Sequence, residues 1–361
     1  MSSETWLEEA IAKAVRRTRG IAGEVSDFPH ITEKGKWIET RDGVWTGGFW
    51  AGLLWLAYER ERDQAMREKA EHFTERLLPR ANDSHNHDLG FMFMPSAVKG
   101  WQLTGEERYR DAAIAAAEAL ARQYSTVYRA IPGWGFFGGE DWTGRVLIDT
   151  LMNLPLLVWA VEQGADRTLL DVARNHAATT LEHHFRPDGS VYHVFWFDPR
   201  SGAPVRGDTY QGVGPESSWT RGQAWAITGL AMLAARLHDK TYQAASEKVA
   251  ANFAARLPAD FIPPWDFDAP GPDQPKDASA GAAAAYGLLK LRAITGKAQH
   301  LALAGRLLRS LAARCGNGRE PGGLLLHATA DLPHGLGIDE STMYGDYYYL
   351  KSLAAFRRQD A

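Results

Sequence analysis

Hydrophobic positions recur with a period near 3.6 residues along almost the whole chain. They fall in about twelve blocks, at roughly 4–18, 47–60, 63–79, 91–103, 106–124, 147–163, 166–184, 219–237, 240–257, 278–295, 298–314 and 343–357. Each block predicts a helix. The connections alternate sharply in length. Glu61-Arg62, Thr104-Gly105, Gly164-Ala165, His238-Asp239 and Thr295-Gly296 leave room only for antiparallel helix hairpins. The intervening connections are long and rich in Gly, Trp, Asp and His.

The even-numbered blocks are apolar nearly all round, as in Gly48–Ala57, Thr150–Ala160 and Gly281–Leu289, so these helices are expected to be buried on every side. The odd-numbered blocks, such as Arg62–Leu78 and Thr241–Leu257, have a charged and an apolar face and suit a solvent-facing layer. Six hairpins closed into a ring predict an all-α, (α/α)6 toroid, with the long loops on one rim at the N-termini of the inner helices. Function is expected on that rim, where converging helix N-termini favour an anionic ligand.

With 361 residues, 45% of them hydrophobic, the chain is long for one compact domain, but no linker or charge block divides it. A ring of repeated hairpins accommodates that length, and residues 1–361 are read as a single domain. Net charge is only −4 and the basic residues are scattered, which argues against a nucleic-acid partner. No apolar run approaches the roughly 20 residues of a membrane span. The amphipathic start of the chain is unlike a signal peptide, and the lone Cys315 fits a reducing compartment, so a cytoplasmic location is expected. Thirteen Trp residues are many, and Trp45, Trp134, Trp142, Trp196, Trp219 and Trp265 lie in loops or at helix starts. Such aromatics either plug the barrel mouth or form a flat wall for sugar rings.

Asp88 and Asp149 open two successive inner helices. Two carboxylates sharing one cavity can drive their pKa values apart and leave one protonated as an acid. Helix capping is the alternative for any Asp in such a position, and it is the preferred reading for Asp277 and Asp346. Asp149 fits capping less well, because Val146, Leu147 and Ile148 place it in an apolar run. Asn153, one turn on, shares its face and joins the expected substrate-binding set. Arg221 and Trp225 also share a face, offering a guanidinium fork and an aromatic wall to one ligand. The alternative for Arg221 is pairing with a structural Asp across the barrel. His193, in a stretch that reads as a short hairpin strand, is assigned to ligand binding.

Two tempting motifs fail on context. Gly133-Trp-Gly-Phe-Phe-Gly138 matches G-x-G-x-x-G but has no βαβ unit around it, so no dinucleotide cofactor is expected. His85-Asn-His-Asp88 lacks a second ligand group at characteristic spacing, so no metal is expected.

Several segments together resemble the unsaturated glucuronyl hydrolases of glycoside hydrolase family 88. They are Trp45-Thr-Gly-Gly-Phe-Trp50, His87-Asp-Leu-Gly-Phe91, Ile148-Asp-Thr-Leu-Met-Asn-Leu154, Ser218-Trp-Thr-Arg-Gly-Gln-Ala-Trp225, Asp277-Ala-Ser-Ala280 and Tyr344-Gly-Asp-Tyr-Tyr348. The resemblance runs in order to about Leu353. It implies an (α/α)6 barrel and a cytoplasmic exo-enzyme that takes unsaturated, uronic-acid-containing oligosaccharides released by polysaccharide lyases. It further implies Asp149 as general acid and base, Asp88 as its partner, and His193, Gln211, Trp45, Trp134, Trp219, Arg221 and Trp225 as the sugar subsite. Lys351 departs from the family pattern, standing in the last helix where an acidic residue is expected.

The implied chemistry is protonation of C4 and hydration at C5 of the C4=C5 vinyl ether, which needs no second carboxylate on the leaving-group side, unlike ordinary glycoside hydrolysis. The rivals are an unsaturated rhamnogalacturonyl hydrolase acting on pectin fragments, a saturated-glycoside hydrolase or sugar epimerase on the same toroid, and a non-catalytic carbohydrate-binding protein. Arg-Gly-Gln-Ala-Trp favours the glucuronyl enzymes over the pectin enzymes. An ionisable group in an apolar run disfavours mere binding.

Overall fold

The structure is a computed structural model that describes residues 5–133, 141–317 and 321–360. Helix α1 (Thr5–Glu24) leads through the hairpin β1 (Phe28–Glu33) and β2 (Lys36–Thr40) into α2 (Gly47–Glu61) and α3 (Gln64–Leu77). Helix α4 runs through Leu89–Phe93, a π-helical turn Met94–Val98 and Lys99–Thr104, and α5 is Glu107–Arg122. Strand β3 (Arg145–Leu147) enters a 3-10 turn, Ile148–Met152, before α6 (Leu154–Glu162) and α7 (Thr168–His183). Strands β4 (Val194–Phe197) and β5 (Pro204–Asp208) precede α8 (Thr220–Leu237) and α9 (Lys240–Arg256). Then follow α10 (Ala278–Thr295), α11 (Ala298–Ser310, extended by a π turn Leu311–Cys315) and α12 (Met343–Asp360).

All twelve predicted helices are present, and the short connections have a local cause. Arg62, Gly105, His238 and Gly296 each close a helix in the left-handed conformation. At two of these corners an Asp follows at once and starts the next helix. Asp63 accepts from the Ala65 N–H and Asp239 from the Thr241 N–H. A stop signal and a start signal in consecutive residues force the chain back on itself.

The even-numbered helices form the inner ring, each packed on the next, with α12 closing on α2. Their faces are buried nearly all round, whereas α3, α5 and α9 bury one stripe each. The crowding at the axis is steric fact. A Cβ on Gly48 would stand 2.2 Å from the Met92 carbonyl oxygen, and one on Gly90 2.4 Å from Asn153 Cα.

One boundary departs from expectation in a way that bears on the site. The α-helix after β3 starts at Leu154 rather than near 147, with Pro155 in its first turn, where a missing N–H is tolerated. Asp149 therefore rides on a tight 3-10 turn ahead of the helix. The same rim carries the antiparallel sheet β3-β4-β5, with Leu147 opposite Val194 and Val194 opposite Asp208. The predicted strand around His193 thus begins one residue later, at Val194. The segment 321–342 folds across the rim and is pinned to β1 by the Thr32 N–H donating to the Ser341 carbonyl. No helix of the described residues is long and apolar enough to cross a membrane.

Candidate active site

At the rim, where the inner helices begin, Trp45, His87, Asp88, Phe91, Asp149, Gln211, Trp219, Arg221 and Trp225 line a narrow cavity of about 30 Å3. Seven of these nine are expected site residues; His87 and Phe91 are additions.

Asp149 occupies the floor. Its side chain keeps 14% exposure toward the cavity, while Oδ1 is buried with no hydrogen-bond partner. Burial pushes its carboxyl from 3.8 up to about 8, helped by the charge of Asp88 and opposed by Arg221. Burial outweighs the lowering by Arg221 and by the Asp149 backbone N–H. Asp88 stands at the N-cap position of α4 without a side-chain cap bond. Its Oδ1 accepts from Asn153 Nδ2 at 3.2 Å and lies 3.4 Å from His87 Nε2. Burial raises its pKa, against the pull of His87 and Asn153.

Asn153, expected in the substrate-binding set, does not line the cavity. It is fully buried behind Asp88, where its Oδ1 accepts from the Phe91 N–H at 2.7 Å and its amide donates to Asp88. Sharing a face with Asp149 on an ideal helix is not sharing a cavity, because the 3-10 turn rotates the two apart. Gly90 permits this contact by leaving Asn153 its space.

His193 is also buried and lies beside the cavity rather than on its wall. Its Nδ1 accepts from the backbone N–H groups of Tyr210 at 3.2 Å and Gln211 at 3.3 Å, and its ring stacks on Trp219 at 4.2 Å. Two N–H donors make Nδ1 the acceptor, so Nε2 carries the proton. That Nε2 has no partner and lies 3.9 Å from Asp149 Oδ2. Burial and the charge of Arg221 hold the imidazole neutral by lowering its pKa well below the ordinary value.

Arg221 borders the cavity and also pairs with an Asp across the barrel. Its Nη1 binds Asp277 Oδ2 at 2.5 Å and the Thr329 carbonyl at 2.7 Å, and Nη2 binds the Ala330 carbonyl. Gln211 Nε2 donates to that same Ala330 carbonyl at 2.8 Å. These bonds tie the 321–342 segment to α8. Asp277 caps α10 as expected, accepting from the Ser279 and Ala280 N–H groups. Asp346 does not cap its own helix; it accepts instead from the N–H groups of Leu324 and Leu325 in that segment.

The aromatic wall is continuous. Trp45 stacks on Tyr344 with centroids 5.2 Å apart, and Phe91 joins Trp45 at 5.8 Å to Trp225 at 5.2 Å. Trp134 lies outside the described residues. His85 is exposed while His87 turns into the cavity, so the His85-Asn-His-Asp88 cluster is split between surface and site. A sequence signal for His87 existed, its place beside Asp88, but only the turn into α4 decides which of the two histidines points inward.

The family model described as Glycosyl Hydrolase Family 88 matches residues 20–311. The unsaturated glucuronyl hydrolase of Bacillus sp. (strain GL1) is 36% identical, with 97% of each chain covered. An unsaturated chondroitin disaccharide hydrolase of Streptococcus agalactiae is 34% identical over 97% of this chain and 91% of its own. The crystal structure of the Bacillus protein superposes with a TM-score of 0.93 at 34% identity, covering 98% of this chain and 97% of that one.

Proposed function

The chain belongs to glycosyl hydrolase family 88, and we propose that its rim cavity removes a 4,5-unsaturated uronic acid from the non-reducing end of lyase-generated oligosaccharides. One observation carries this reading: a buried carboxyl, Asp149, with a pKa of about 8 and an unpaired oxygen, at the floor of an aromatic-walled cavity. A group that is both protonated near neutral pH and free of structural bonds is poised to give a proton away. A saturated glycoside would call for a carboxyl pair flanking the scissile bond. A vinyl ether needs one acid beside C4.

Asp149 donates its proton to C4, and the electron pair of the C4=C5 bond forms the new C–H bond. Positive charge develops at C5 and is shared with the ring oxygen. The resulting Asp149 carboxylate takes a proton from water as the water oxygen bonds to C5, giving a hemiketal and restoring the acid. Collapse of the hemiketal makes a C5 ketone and breaks the C5–O5 bond. The C1 hemiacetal then expels the remaining sugar as an alcohol and becomes an aldehyde, so one water is consumed per turnover.

The charge of Asp88 helps keep Asp149 protonated, and Asp88 is itself held by Asn153. His193 Nε2–H, aimed at Asp149 Oδ2, is a donor to the carboxylate after proton delivery. Trp45, Trp219 and Trp225 stack against the sugar, and Arg221 and Gln211 present the edge nearest the uronate carboxylate. The buried thiol of Cys315 suits a reducing cytoplasm; release with an extracytoplasmic fraction of the native cells would contradict that location.

Loss of the ultraviolet absorbance of the conjugated C4=C5 bond tests the reaction directly. Lyase-generated glucuronyl and galacturonyl disaccharides should lose it with stoichiometric release of the second sugar, and the best substrate identifies the parent polysaccharide. Persistent absorbance across the panel with a folded protein, together with cleavage of saturated glycosides, would overturn the proposal.

A further inference from the structure

A second cavity, of about 330 Å3, lies on the barrel axis beyond Phe91, which lines both. It extends to the end of the barrel where the inner helices finish. Four cations line it, Lys99, Arg236, Lys351 and Arg358, against a single carboxylate, Glu59. Two are neutralised: Lys99 binds Glu59 at 2.8 Å and Arg236 binds Glu162 at 2.5 Å. Among the described residues no carboxylate pairs with Lys351 or Arg358.

The negative ends of the inner helices account for Arg236 and Arg358, which stand in the last turns of α8 and α12. They do not account for Lys351, more than two turns before the end of α12. Its ammonium donates to the Tyr347 hydroxyl at 2.7 Å and lies 4.6 Å from the Tyr286 ring centre and 4.7 Å from that of Tyr347. Aromatic faces offset part of the expense of an enclosed ammonium, but a counter-charge offsets far more. On α12, Tyr347, Lys351, Ala354 and Arg358 fall on one stripe, and the small Ala354 leaves open space between the two cations. The Tyr286, Tyr347 and Tyr348 side chains complete the wall.

We propose that this axial cavity is an anion site, separate from the sugar site, that binds a small polyvalent oxyanion of the phosphate or sulfate kind between Lys351 and Arg358. The ammonium and guanidinium supply charge, and the phenolic hydroxyls donate hydrogen bonds. The site also has its own reporter. Burial opposes ionisation of Tyr286, yet the Lys351 and Lys290 ammoniums bring its pKa down to about 8. An anion seated beside Lys351 weakens that pull and moves the Tyr286 midpoint upward.

The test uses the full-length protein with inorganic phosphate or sulfate, against chloride at matched ionic strength. Thermal unfolding and the phenolate absorbance between pH 7 and 9 are followed together. Expected are a saturable rise in Tm that chloride does not reproduce, an upward move of the Tyr286 midpoint, and affinity weakened roughly tenfold or more in both Lys351→Met and Arg358→Ala. Arg358 lies at the barrel end, so Arg358→Ala decides the matter if Lys351→Met fails to fold. Equal effects of chloride, or a Tm rise unchanged in Arg358→Ala, would overturn the proposal and assign the effect to the sugar cavity or to general salt.

Discussion

Replacing Asp149 by Asn separates the two consequences of its raised pKa. With an ordinary value of 3.8 the carboxyl would be protonated in fewer than about one molecule in a thousand at pH 7; at about 8 roughly nine in ten carry the proton. Asn keeps the shape and neutrality of that form but has no acidic proton. Loss of a positioned general acid lowers turnover by about 100- to 10,000-fold. Asp149 also serves as the base for water, so the upper part of that range is expected.

Stability should move the other way. A carboxyl whose pKa is raised on folding supports the fold fully below its unfolded value of 3.8, and that contribution is lost as pH rises through about 8. At pH 7 the wild-type chain carries a burden on the order of 4 kcal/mol from holding Asp149 protonated, which Asn does not. The Tm advantage of Asp149→Asn should therefore vanish below the unfolded value of 3.8 and grow to several degrees by pH 8. The assays are C4=C5 absorbance decay, ligand binding by calorimetry, and melting across that pH range. Turnover within about tenfold of wild type with normal binding, or a Tm difference that does not grow with pH, would refute the assignment. In the wild type, kcat/KM should decline on the alkaline side with a midpoint near 8.

Asn153→Ala removes the amide held 3.2 Å from Asp88 and leaves the Phe91 N–H unsatisfied. About 1–3 kcal/mol of stability should be lost, and kcat should fall with little change in KM; an effect on KM alone would put Asn153 back against the substrate. Arg221→Lys keeps the charge near Asp277 but loses the fork that also holds Thr329 and Ala330. Proteolysis within 321–342 should accelerate and KM should rise several-fold, whereas unchanged proteolysis would show that the segment is held otherwise. Gly90→Ala drives a methyl to 2.4 Å from Asn153 Cα. A loss of about 1–3 kcal/mol in denaturant unfolding is expected, with turnover reduced through Asn153 and Asp88; a neutral outcome would mean that α4 and α6 can move apart.

The ring was legible because its causes are local. All-round apolar helices can only be inner ones, and paired signals such as Arg62-Asp63 and His238-Asp239 reverse the chain within two residues whatever surrounds them. The solitary acid in Val146-Leu147-Ile148-Asp149 was legible as a candidate acid for the same reason, since an apolar run foretells burial; that its pKa is raised was decided by the packed surroundings. Other features depend on partners distant in sequence. Asn153 follows Asp149 by four residues, yet Pro155 delays the α-helix, and the 3-10 turn swings Asn153 behind Asp88 instead of into the cavity. Arg221 meets Asp277, Thr329 and Ala330 only when the ring closes and the last long segment folds over the rim. Asp346 looks like a cap until that same segment arrives to take its oxygens. Local periodicity and turn chemistry suffice for the barrel and its rim. The protonation and contacts of each side chain there are set by whichever groups the closed ring brings within about 4 Å, where Coulomb and hydrogen-bond energies become decisive.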